Sequence, residues 1–93
     1  MRAEWNGVIV ADSSNTIMYD GKFFFPMESL NKEYLKVSDK KSSHPKTGKS
    51  VFYHLKVKGQ INEDCVCLFM VPTPETQKVK NHVYFLNGVN VIR

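Results

Sequence analysis

The chain has 93 residues, 42% hydrophobic and 24% charged, which is one domain of ordinary globular composition spanning residues 1–93. That balance excludes wholesale disorder. No apolar run approaches a membrane span, and the opening MRAEWNG lacks a signal-peptide core, so a soluble cytoplasmic domain is expected. The net charge of +4 is uneven: eight lysines from Lys32 to Lys58 stand against Glu33 and Asp39, a local excess of six.

Arg2 to Trp5 and Val8 to Ala11 flank Asn6-Gly7, a dipeptide that tolerates the positive φ angles of a two-residue type I′ turn, and so predict a hairpin. Asp12 to Asn15 is a polar turn. Thr16 to Tyr19 predicts a strand, Asp20-Gly21 a second turn of the same chemistry, and Phe23 to Phe25 a strand ending at Pro26, which has no N–H for a ladder. Pro26 to Glu33 predicts one or two helical turns, and Tyr34 to Val37 a small strand. Ser38 to Lys49, rich in lysine and serine and broken at Pro45 and Gly48, reads as a loop.

Val51 to Lys58 alternates cleanly, with Val51, Tyr53, Leu55 and Val57 on one face and Phe52, His54 and Lys56 on the other. Lys58-Gly59 turns the chain, and Cys65 to Val71 is a nearly continuous apolar strand of the fully buried kind. Thr73-Pro74-Glu75 predicts a short helix to about Lys80, with Thr73 as cap, Pro74 at its first position and Glu75 favoured by the dipole. His82 to Phe85, Asn87-Gly88 and Val89 to Ile92 read as a closing hairpin. About seven short strands with one or two brief helices predict a mostly β fold: a compact antiparallel barrel or two packed sheets.

Cys65 and Cys67 are two residues apart. In an extended strand they share a face with Cα atoms roughly 6.5–7 Å apart. That is the outer limit for a disulfide, so free, buried thiols are expected.

The lines EWNG and VADS, FFFPMESLNKEYLKVSD, SHPKTGKSVFYHLKVKG, and VPTPE before VKNHVYFLNGVNV resemble the family called domain of unknown function 427, also labelled nucleotidyltransferase-like. The resemblance covers nearly the whole chain. It rests on Pro26, Glu28, Tyr34, Ser38, Pro45, Gly48, Tyr53, Gly59, Asp64 and Pro72. It implies a compact β fold of the Mss4-like or β-tent kind, and no established activity. The chain departs from the family pattern at two places. His44-Pro45-Lys46-Thr47-Gly48 stands where members commonly carry Cys-Pro-aromatic-Lys-Gly, and Cys67-Leu68-Phe69 where they carry Trp-Tyr-Tyr.

The residues give the nucleotidyltransferase label no support. Metal-dependent phosphoryl chemistry wants closely spaced carboxylates, and the only adjacent acids, Glu63 and Asp64, alternate faces in a strand. Gly48-Lys49-Ser50 is not a P-loop: Ser43 stands where the first glycine belongs, and a β-branched aromatic segment follows instead of a helix. One Cys-x-Cys with His44, His54 and His82 falls short of paired zinc-ligand motifs, so neither metal nor cofactor is expected. Ser50 lies between His44 and His54 in sequence, which says nothing of distance, and CVCLFMV argues against an exposed reactive thiol.

Lys40, Lys41, Lys46 and Lys49, beside His44, Ser42, Ser43 and Thr47, can neutralise phosphate, and Phe52 and Tyr53 can stack a base. The expected function is therefore a non-enzymatic binding module that uses Ser38 to Ser50 for an anionic ligand or an acidic protein, with nucleic acid a weaker candidate and no membrane partner. Expected ligand-binding residues are Glu28, Tyr34, His44, Lys46, Lys49 and Tyr53. The alternatives are an enzyme whose pocket converges on Glu28, Tyr34, His44 and Tyr53, and a purely structural interaction domain.

Overall fold

A computed structural model describes all residues from 1 to 93. Nine strands run in chain order as β1 (Arg2–Trp5), β2 (Val8–Asp12), β3 (Ile17–Tyr19), β4 (Lys22–Pro26), β5 (Leu35–His44), β6 (Gly48–Val57), β7 (Gln60–Pro72), β8 (His82–Phe85) and β9 (Asn90–Ile92). The only helices are short 3-10 segments: η1 (Met27–Ser29), η2 (Lys32–Tyr34) and η3 (Pro74–Val79). No helix is long and apolar enough to cross a membrane.

The strands form two antiparallel sheets, a small one in the order β2-β1-β9 and a large one in the order β3-β4-β8-β7-β6-β5. Both keep free edges, so the fold is two sheets and not a barrel. The dipeptide turns hold as expected: Asn6-Gly7, Asp20-Gly21 and Lys58-Gly59 all place both residues at positive φ, between 51° and 78°.

Two expectations are corrected. Ser38 to Lys49 is not a loop but most of a long hairpin, with Lys41 opposite Val51, His44 opposite Gly48, and only Pro45, Lys46 and Thr47 at its tip. Strand β5 is the edge of the large sheet, and its exposed far half has no apolar alternation to read. Lysines on an edge also discourage pairing with another chain. The closing hairpin is likewise absent. Both sides of β8 are occupied, by β4 and β7, so after Asn87-Gly88 the chain crosses to the small sheet, where β9 pairs with β1. The Asn87 side chain fixes the departure by donating to the Glu63 carbonyl (3.1 Å), while the Asn87 backbone carbonyl accepts from Asn62 Nδ2 (2.9 Å).

Strand alternation sorts the aromatic residues of the large sheet onto two faces. Phe25, Leu55, Val57, Val66 and Val83 meet Ala3, Val10 and Ala11 of the small sheet in the main core. The neighbours of opposite parity, Phe24, Phe52, Cys67 and Phe69, form a second cluster on the far side, covered in part by Val79 of η3. Both thiols are free and buried, Cys65 in the first cluster and Cys67 in the second.

Candidate functional site

The second face of the large sheet is only partly covered, and a cavity of about 350 Å³ opens on it. Its floor is Phe24, Phe52, Phe69 and Tyr84, one ring from each of β4, β6, β7 and β8. Phe24 sits at the centre, with ring centroids 5.1 Å from Tyr84, 5.6 Å from Phe69 and 5.9 Å from Tyr19. The walls come from two hairpin ends: Tyr19, Asp20 and Lys22 on one side, and Ser42, His44, Lys46, Thr47 and Ser50 on the other.

The rings are capped by ammonium groups. Lys22 Nζ lies 5.4 Å from the Tyr84 centroid, Lys40 Nζ 4.7 Å from Phe52 and Lys78 Nζ 5.1 Å from Tyr19. Each is within cation–π range. With Lys46 on the wall, four lysines surround a site whose nearby acids are Asp20 and Glu75. Asp20 reaches Lys22 at 3.8 Å through exposed side chains, a pairing that water screens strongly.

The hairpin tip that carries His44 and Lys46 is tied down. Thr73 Oγ1 donates to the Lys46 carbonyl (2.7 Å), and Thr76 Oγ1 donates to the Thr47 carbonyl (3.0 Å) while accepting from the Thr73 N–H (3.0 Å). The predicted cap residue Thr73 thus spends its hydroxyl on the tip. Gly48 closes the turn at φ 92°, where an added Cβ would lie 2.1 Å from the Val71 carbonyl oxygen. His44 Nδ1 accepts the Lys46 N–H (3.1 Å), which leaves Nε2 to carry the ring proton as a donor.

Beneath the floor, burial pushes the Cys67 thiol up, only partly opposed by its contacts with Tyr84 and Ser50. Burial likewise pushes the Tyr84 phenol up, and Cys67 adds to the rise. Tyr19 is raised by desolvation and then by Glu75. All three remain neutral, so the phenols act as hydrogen-bonding groups and Cys67 is a poor nucleophile.

Of the residues expected to bind ligand, His44 and Lys46 line this cavity. Lys49 does not; with Lys41, Val51, Met70 and Val71 it lines a second open cavity of about 410 Å³ at the same end of the hairpin. Tyr34 and Tyr53 pack against the main core, and Glu28 is exposed on η1. The four residues of the enzyme alternative therefore do not line one concave site. Lys22, Tyr19, Phe69 and Tyr84 were not foreseen. The signal for them was a pair of segments, FFF and CVCLFMV, apolar at both strand parities and so demanding cover on both faces.

His54 and Asp64 form a separate polar clamp. His54 stands alone opposite Glu63, Asp64 and Cys65, in a bulge where Asp64 has φ 54°. His54 Nδ1 accepts the Asp64 N–H (2.9 Å), so its 3.6 Å approach to the Asp64 carboxylate joins two acceptors and is not an ion pair. The buried Ser38 hydroxyl donates to that carboxylate and accepts the Lys40 N–H (3.0 Å), which joins the β5 irregularity to the β7 bulge. Neither His44 nor His54 bonds Ser50. No three His, Cys, Asp or Glu side chains converge as metal ligands.

Several residues behind the family resemblance have structural tasks of this kind. Ser38 and Asp64 join three strands, Gly48 permits close backbone approach, and Gly59 completes a turn. The sequence profile of a family described as a domain of unknown function (DUF427) matches residues 1–92. The chain belongs to that family. No curated protein matches it. His44, Lys46, Thr47 and Phe69 line the cavity, and Cys67 lies beneath it.

Proposed function

We propose that this member of the family is a non-enzymatic binding module for a small anionic ligand held in the lysine-ringed cavity. The observation that carries the reading is that Lys22 and Lys46 line one aromatic-floored cavity while Lys40 and Lys78 lie over its Phe52 and Tyr19 rings. Lys22 and Lys78 lie far along the chain from the basic run that supplies Lys40 and Lys46, so folding, and not that run alone, brings the four together. A small ligand suits the site better than a nucleic-acid strand, because strand binding uses rings exposed as stacking platforms. Phe24, Phe52 and Phe69 are each under 10% exposed. The two-sheet arrangement is proposed to be of the Mss4-like or β-tent kind that the resemblance implies, and the free thiols suit the reducing cytoplasm.

Thermal unfolding with pyrophosphate at low and high salt tests this reading. A ligand at 100 times its Kd adds about 2.7 kcal/mol, or roughly 10–20 °C in Tm for a domain of this size. The expected stabilisation shrinks with salt and is lost in the double variant Lys22→Ala, Lys46→Ala. No shift with pyrophosphate, or an unchanged shift in the double variant, overturns it.

A second reading, an acidic protein partner, is favoured by the second open cavity, where Lys41 and Lys49 flank Val51, Met70 and Val71, the last two each 54% exposed. Charge reversal at Lys41 and Lys49 would then abolish partner binding without changing the pyrophosphate shift.

A further inference from the structure

Resting on the anion-binding reading, we infer that the cavity selects a planar aromatic ring bearing an anionic group. The argument begins with what a bare anion would leave behind. It would draw the rim ammonium groups toward itself and uncover the faces of Tyr84, Phe52 and Tyr19, which those groups now cap. Water would then fill a cavity with an aromatic floor, which is unfavourable for the apolar surface. A ring carried by the anion replaces the ammonium groups over that floor and displaces the water.

The geometry accommodates such a ring. The floor rings Phe24, Phe69 and Tyr84 meet at 41° to 62° and not in parallel stacks, so they offer a ligand both edges and faces. About 350 Å³ is at the small end of ligand pockets, enough for one ring system with its anionic group. Polar groups are confined to the walls. Lys22 donates from one wall, and Lys46 and the His44 N–H from the other, where Ser42, Thr47 and Ser50 supply hydroxyls. Asp20 is the one carboxylate on the lining, and it opposes an anion there. A neutral ring would leave the lysine charge unused, whereas a charged aliphatic chain would lack the aromatic edge and face that the tilted floor rings contact.

Calorimetric titration of the intact chain with phenyl phosphate, butyl phosphate, inorganic phosphate and phenol tests the inference. Phenyl phosphate is expected to bind at least tenfold tighter than each of the other three. In Tyr84→Leu its advantage over butyl phosphate is expected to vanish, the ratio of those two affinities being the quantity read. Asp20→Asn is expected to tighten every phosphate by about two- to fivefold. Its turn is undisturbed, because Asp20 has φ 51° and asparagine accepts that conformation well.

Phenyl and inorganic phosphate of equal affinity overturn the aromatic inference but leave the anion reading standing. Phenol as tight as phenyl phosphate overturns the anionic part. Absence of binding by all four overturns both readings. The comparison among the four ligands decides the matter in the unaltered chain even if Tyr84→Leu fails to fold.

Discussion

The two faces of the large sheet carry similar side chains but have different neighbours. On one face Phe25 and Val83 are closed off by the small sheet; on the other Phe24 and Cys67 are equally buried, yet η3 and a hairpin tip cover only part of the surface. A complete second layer gives a core. An incomplete one gives a cavity whose remaining cover is lysine stems and ammonium groups, which a ligand can displace at small cost. The cavity is thus the consequence of a missing layer, and the hairpin tip decides its shape.

The largest expected contrast is between phenylalanines on the two faces. Phe25→Ala, at a fully buried site between the sheets, should cost about 3–5 kcal/mol, while Phe69→Ala beside the open cavity should cost roughly half as much. Urea denaturation measures both. Equal losses would mean that the second face is as tightly closed as the first.

Next come the glycines. Gly48→Ala drives a Cβ into the Val71 carbonyl at positive φ, and a loss of about 2 kcal/mol or more is expected together with loss of anion binding. Gly21→Ala, at φ 73° with no atom within 4 Å, should cost only about 1 kcal/mol. If Gly48→Ala matched Gly21→Ala, the tip would not be seated on β7.

Thr76→Val keeps the shape of a fully buried side chain but leaves the Thr47 carbonyl and the Thr73 N–H without their partner. A cost of about 1–3 kcal/mol is expected, with weaker anion binding than the stability loss alone explains. Unchanged affinity in the folded variant would show that the tip holds its place without η3.

The last contrast appears only at high pH and concerns Cys65, which is sealed in the main core. Burial pushes Cys65 up to about 11 from an ordinary 9.0. The unfolded chain therefore loses that proton at lower pH than the folded one. Stability should be insensitive to Cys65 below about pH 9 and fall as pH rises from there toward 11. Comparing urea midpoints of the parent and Cys65→Ala across that window isolates the contribution: the variant should lose stability less steeply. Parallel curves would mean that the thiol is solvated in the native state.

Much of the fold was legible because it depends on local chemistry. Asn6-Gly7, Asp20-Gly21 and Lys58-Gly59 each specify a turn through the conformations that their residues permit, and the alternation from Val51 to Val57 specifies which side chains share a face. Asn87-Gly88 shows the limit. Its left-handed turn is present, at φ 56° and 86°, but whether the next strand folds back depends on a free edge, and β8 has none. The Ser38–Lys49 segment failed for a related reason: a solvated edge strand is held by backbone ladder bonds, which leave no pattern in its side chains.

By itself the sequence determined a mostly β chain with its turns placed, two buried thiols, and a basic segment containing His44 and Lys46. Only the tertiary structure decided that Lys41 and Lys49 lie outside the cavity that His44 and Lys46 line, and that Lys22, Lys78, Tyr19, Phe69 and Tyr84 join those two from elsewhere in the chain. The physical reason is strand order. A turn is a property of a few adjacent residues, whereas a cavity belongs to strands brought side by side by hydrogen bonds between distant segments, and the backbone groups that make those bonds are the same in every residue but proline.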